Sequence, residues 1–187
     1  MTQQSILEHD GRSVPYLVEG EGPIGLVLIA AGSLETDPLG VVAHYLAEEA
    51  GFHVVRIGAD PAATEREQRA ADAIAIMDHL GFDDAWIGGY GAGGTIARAA
   101  TAAHPDRANG LLLLGVEEAD IALAPMIPVL IIQGTDDETM PAANAERLQS
   151  TAPERASIKS IAGADHRFPL THLMDTAVTI EEYLDWD

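Results

Sequence analysis

The chain alternates between short apolar runs and longer stretches in which apolar residues recur every three or four positions. Runs of strand length lie at residues 25–30, 53–57, 85–88, 110–114 and 128–132, with a weaker one at 156–161. Near-continuous Leu, Ile and Val is what strands covered on both faces of a parallel sheet require. The stretches between them carry helix punctuation. Asp37 followed by Pro38 suits an N-cap and a first-turn proline, with Gly51 as the stop. Thr64 with Glu67 three residues on reads as a capping box, opening a helix that runs to Gly81. Segments 92–103, 142–150 and 170–184 complete the helical set. Ahead of all this, short strands at 5–8 and 14–18 flank the hairpin-turn dipeptide Asp10-Gly11.

Strand alternating with helix predicts an α/β class fold, a doubly wound and mostly parallel sheet. A chain of 187 residues, 47% hydrophobic and 21% charged, fits one domain over 1–187. No internal repeat, low-complexity tract or linker interrupts it. The stretch 116–127, between two of the strands, is too short for an independent subdomain.

Charge and composition narrow the partners. Thirty acidic against ten basic residues give a net charge of −20, which repels phosphate backbones and anionic lipid. Neither nucleic acid nor membrane is an expected partner. The apolar runs fall far short of the roughly 20 residues that span a bilayer, and the N-terminus lacks a basic segment leading into an apolar core. The absence of cysteine excludes disulfide and thiolate chemistry and is compatible with a reducing compartment. A soluble, cytoplasmic protein is the expectation. Composition says nothing of oligomeric state.

The chemistry-bearing part is Gly88-Gly89-Tyr90-Gly91-Ala92-Gly93-Gly94, set between an apolar run and an Ala-rich helical run. In this context it resembles the nucleophile elbow Gly-x-Ser-x-Gly of the α/β-hydrolase superfamily, in the lidless, dienelactone-hydrolase- and esterase-like form. Two further stretches carry the resemblance in the same order. Residues 127–137 end on Gly134-Thr135-Asp136-Asp137, similar to the turn presenting the triad acid; residues 161–168 contain Asp165-His166, similar to the loop presenting the triad histidine. His104-Pro105-Asp106-Arg107 matches the stretch that closes the elbow helix. The resemblance implies Asp137 as the acid, with Asp136 the second choice, His166 as the histidine, and the N–H groups of Ser33 and Ala92 as an oxyanion hole. It implies a small carbonyl compound as substrate and no cofactor.

Two departures reshape those implications. Relatives commonly insert a helical lid after the strand ending near Gly115, and no such insertion is present. More consequentially, the nucleophile position holds Gly91, so no acyl-enzyme forms through a side chain there. Three readings follow: a general-base enzyme using Asp137 and His166 without a Ser or Cys nucleophile; a binding pseudoenzyme; or a serine hydrolase whose nucleophile has been replaced by glycine. A remote fourth reads Gly89-x-Gly91-x-x-Gly94 as a dinucleotide fingerprint with Glu117 or Glu118 as its acidic residue. Gly89, Gly93 and Gly94 are expected to serve close helix-on-strand packing in any case. Glu35 and Asp37 sit on the Ser33 loop, Asp37 more economically as a helix cap. His9, His44, His53, His79 and His172 have no motif around them, and no cluster has metal-ligand spacing.

Overall fold

The computed structural model describes residues 4–185. It opens with a hairpin in which β1 (Ser5–His9) and β2 (Arg12–Glu19) pair antiparallel. Asp10 and Gly11 take φ of 50° and 77° between them. Two successive left-handed residues give a turn whose twist matches the strands it joins, and Asp-Gly tolerates both. There follow β3 (Ile24–Ile29), α1 (Gly40–Glu48), β4 (Phe52–Ile57), α2 (Arg66–Leu80), β5 (Ala85–Tyr90), α3 (Ala92–Ala103) and β6 (Ala108–Leu114). The chain ends through β7 (Val129–Gly134), α4 (Ala142–Ser150), β8 (Ala156–Ile161), α5 (Phe168–Thr171) and α6 (Leu173–Leu184).

All eight strands of the described residues join one sheet, ordered β1-β2-β4-β3-β5-β6-β7-β8. From β4 across to β8 every pairing is parallel; the β1–β2 and β2–β4 pairings are antiparallel. Alternate residues of the central strands feed two cores. Val27, Ile29, Leu111, Leu113, Val129 and Ile131 pack beneath α2, α3 and α4. Leu26, Leu28, Leu112, Leu114, Leu130 and Ile132 pack beneath α1 and α6 on the other face. Both faces are therefore covered, which is why these strands read as unbroken apolar runs.

Sheet topology sets where the strand-end loops part. From β3 the chain crosses to β4 on one side, whereas from β5 it crosses to β6 on the other. β3 and β5 are neighbours, so the loops leaving their carboxyl ends part there and open a crevice, the usual ligand position in such sheets. The connection from β6 to β7, residues 115–128, contains no helix. The fold thus has no cap domain.

Several element ends differ from the sequence expectation. α1 starts at Gly40, not at Pro38, because Asp37 accepts the Leu39 N–H (3.3 Å) in a preceding turn. The capping box at α2 is one residue later than Thr64 and Glu67: Glu65 is the N-cap, and Gln68 Oε1 accepts from the N–H groups of both Thr64 and Glu65. The helical run expected at 170–184 is broken at His172 (φ −126°, ψ 50°) into α5 and α6.

Candidate active site

Gly91 joins β5 to α3 with φ 58° and ψ −121°, a conformation that costs an L-residue on the order of 1–3 kcal/mol. Its N–H donates to the Leu114 carbonyl (3.0 Å), and its carbonyl accepts the Thr95 N–H (3.2 Å). The turn is sharp because the helix start lies directly on backbone. A Cβ on Gly93 would come within 2.0 Å of the Ile29 carbonyl oxygen, and one on Gly89 within 2.4 Å of the Gly93 carbonyl carbon. A Cβ on Gly94 would lie 3.0 Å from the Gly89 carbonyl oxygen, a less severe but still tight approach. Packing accounts for these three glycines.

The acid and the histidine arrive from the neighbouring strand ends. Asp137 lies in the turn after β7, where its N–H donates to the Gly134 carbonyl, and its side chain is fully buried. Oδ1 accepts the N–H groups of Thr139 and Met140, each at 2.9 Å. Oδ2 is left for His166, whose Nδ1 lies 2.9 Å away on the loop between β8 and α5. Both oxygens of the buried carboxylate are therefore hydrogen-bonded, as a buried polar group requires. The His166 side chain remains 27% exposed, and its Nε2 has no partner among the described residues.

Tyr90, the last residue of β5, fastens this loop to the elbow. Its ring lies 4.9 Å from that of His166 and meets Phe168, which is fully buried, edge-on at 6.2 Å. Its hydroxyl donates to the His166 carbonyl. Burial, then the negative charges of Asp137 and Asp165, push the Tyr90 hydroxyl far above its usual range, so it stays a donor. Strand, elbow, acid turn and histidine loop now stand in one chain order around one crevice, with the sheet order given above. The chain has the α/β-hydrolase fold.

Solved structures of that fold match nearly end to end. They include a predicted CIB-like hydrolase from Thermoplasma acidophilum (13% identity, 98% of both chains, TM-score 0.79). Est1E from Butyrivibrio proteoclasticus (16% identity, 97% of both chains) and a thermophilic esterase from Thermogutta terrifontis (16%, 98% of both chains) also match, each with TM-score 0.79. No protein-family model matches the chain, and no curated protein does so by sequence.

At the place where an α/β-hydrolase carries its nucleophile, the space over Gly91 is not empty. A Cβ on Gly91 would lie 2.8 Å from Met140 Cε, and one on Gly115 would lie 3.4 Å from Met140 Sδ. Met140 therefore bridges the elbow and the end of β6. Its carbonyl is tied to Gln133 Nε2 (2.9 Å), and its N–H to Asp137. The loop after β3 is braced from below: Arg69, itself buried, donates to the carbonyls of Ala30 and Ala31, and Gly32 O accepts from Ala59 N–H. The N–H groups of Ser33 and Ala92 donate to nothing among the described residues. The Ser33 hydroxyl is engaged in a local turn with Thr36 at 3.0 Å.

The remaining candidates fall outside the crevice. Asp136 is exposed, and Asp37 is held by Leu39 and by Arg56 at 3.4 Å. For the fingerprint reading, the Glu117 carboxylate is already engaged by the Thr95 hydroxyl and Glu118 is exposed. No group of three or more metal-ligating side chains occurs among the described residues. Tyr90, Met140 and Arg69 carried no signal in the sequence, because each acts through a contact with a distant segment.

Proposed function

We propose that this protein hydrolyses small esters, thioesters or lactones with water as the nucleophile and the Asp137–His166 pair as its general base. Asp137 Oδ2 holds the Nδ1–H tautomer of His166, leaving Nε2 to take a proton from water. The resulting hydroxide adds to the substrate carbonyl, and the developing oxyanion lies on the Ser33 and Ala92 N–H groups. Collapse of the tetrahedral adduct breaks the ester bond, and His166 returns its proton to the departing alkoxide or thiolate. Met140, unbranched and easily rotated, swings away to admit substrate.

The observation that carries this reading is the buried Asp137–His166 hydrogen bond beside an elbow without a side chain. The fold it shares with structures described as esterases supports the substrate class. The test is turnover of p-nitrophenyl acetate and butyrate, a thioester and a lactone. His166→Ala should lower the rate by about 10²–10⁴-fold, the range for a lost general base. An unchanged rate overturns the proposal.

One observation favours a second reading. Met140 fills the seat, as expected of a binding protein that has lost its chemistry. That reading predicts no turnover on the same panel and ligand affinity indifferent to His166→Ala.

A further inference from the structure

A second chamber, of about 420 Å³, opens between α3, α4 and the 115–128 connection. Its polar equipment is unexpected in a chain with net charge −20. Three of the ten cationic side chains, Arg98, Arg147 and Arg155, line it.

Arg98 is the decisive member. It is 3% exposed, and its terminal nitrogens donate to the carbonyls of Glu117, Ala119 and Ile121. Its Nε–H is buried without an acceptor, and it forms no ion pair among the described residues. The Glu117 carboxylate on the same wall accepts from Thr95. A buried guanidinium with an unmet donor is unfavourable. Desolvation first, and then repulsion from Arg66, lower its pKa, and the Glu117 charge offsets them only in part. Arg155 donates to the Ile127 carbonyl (3.0 Å) and is half-buried, while Arg147 is exposed.

We propose that this chamber binds a small aliphatic monocarboxylate, its carboxylate among Arg98, Arg147 and Arg155 and its chain against Val116, Leu123 and Leu148. Guanidinium forks match a planar carboxylate, whose oxygens supply the acceptor that the unmet Arg98 Nε–H lacks. The apolar walls and the volume call for a body larger than inorganic phosphate. The exposed acids Glu118 and Asp120 on the same lining raise the cost of a second negative charge, which selects a monoanion. The proposal is independent of what His166 does.

The test is titration calorimetry of the full chain with sodium hexanoate at about 0.15 M salt, where long-range repulsion is screened. Saturable one-to-one binding is expected. Arg147→Gln and Arg155→Gln should each weaken it about tenfold, the order expected for one charge-assisted hydrogen bond. Hexanol and inorganic phosphate should bind at least about tenfold more weakly than hexanoate. His166→Ala should bind as the wild type does. Because Arg98 also holds the loop, the two outer arginines carry the test. The proposal is overturned by absent binding, by hexanol or phosphate binding as well as hexanoate, or by either arginine variant binding normally. It is equally overturned if His166→Ala loses the ligand, which places it in the crevice.

Discussion

The two sides of the crevice are built to different degrees. On the acid–histidine side each group has a dedicated partner: Asp137 takes two backbone N–H groups and His166, and Tyr90 clamps the histidine loop by ring and hydroxyl. On the elbow side the backbone keeps its strained shape while the reactive group is absent and a methionine methyl lies over the vacancy. The difference separates two requirements that a working triad normally merges. The shape of an elbow comes from helix-on-strand packing at Gly89, Gly93 and Gly94, and it persists without a nucleophile. The relay comes from a buried carboxylate that loses its hydrogen bonds unless its turn and partner stay in place.

Substitution at the glycines tests this division most strongly. Gly93→Ala drives a methyl into the Ile29 carbonyl and should destabilise the fold by about 3 kcal/mol or more, at the upper end of overpacking effects. Gly91→Ala meets only the mobile end of Met140, so its loss should be confined to the backbone strain of about 1–3 kcal/mol. Denaturant unfolding of both variants compares them directly; equal losses would mean that packing does not define the elbow.

A chemical version is next in size. Gly91→Ser with Met140→Ala supplies a hydroxyl and clears the seat. The double variant should label with a fluorophosphonate and show burst kinetics on p-nitrophenyl esters, whereas Gly91→Ser alone should react more slowly. Absence of labelling in both would show that the relay, however well bonded, does not face the elbow.

The smallest effect is a pH dependence outside the crevice, on the loop after β3. Burial raises the Asp37 carboxyl above its usual range, outweighing the Leu39 N–H and Arg56. The folded chain therefore binds that proton more tightly than the unfolded chain, a contribution present below the ordinary aspartate pKa and lost as pH rises through the raised one. Asp37→Asn should accordingly gain stability relative to wild type as pH increases through the acidic range. A constant difference between the two unfolding curves would contradict it.

Much of the scaffold was legible because both faces of the sheet are covered. Continuous Leu, Ile and Val located β3 to β7, and Asp10-Gly11 located the hairpin turn. The pairing of Asp137 with His166 was legible through the resemblance of their strand-end turns to the acid and histidine loops of α/β-hydrolases. Helix starts are less legible: Asp37 and Thr64 are good cap residues, but α1 and α2 take Leu39 and Glu65 as N-caps, because Asp37 closes a turn onto Leu39 and Gln68 reaches back to Glu65. Tyr90, Met140 and Arg69 were illegible for a different reason. An aromatic, a thioether and a guanidinium show no periodic signature, and the roles described for them involve partners 25 or more residues away.

The cap-less connection after β6 has a bearing on engineering. Gly115 borders the seat beside Met140, while Val116 and Glu117, the next two residues, already wall the arginine chamber. Grafting a helical hood at this point, the natural place to narrow substrate choice, would unroof that chamber and strip Arg98 of its three carbonyl ligands. A designer who wants a covered crevice should therefore build it from the loop after β3 and leave this strap as it is.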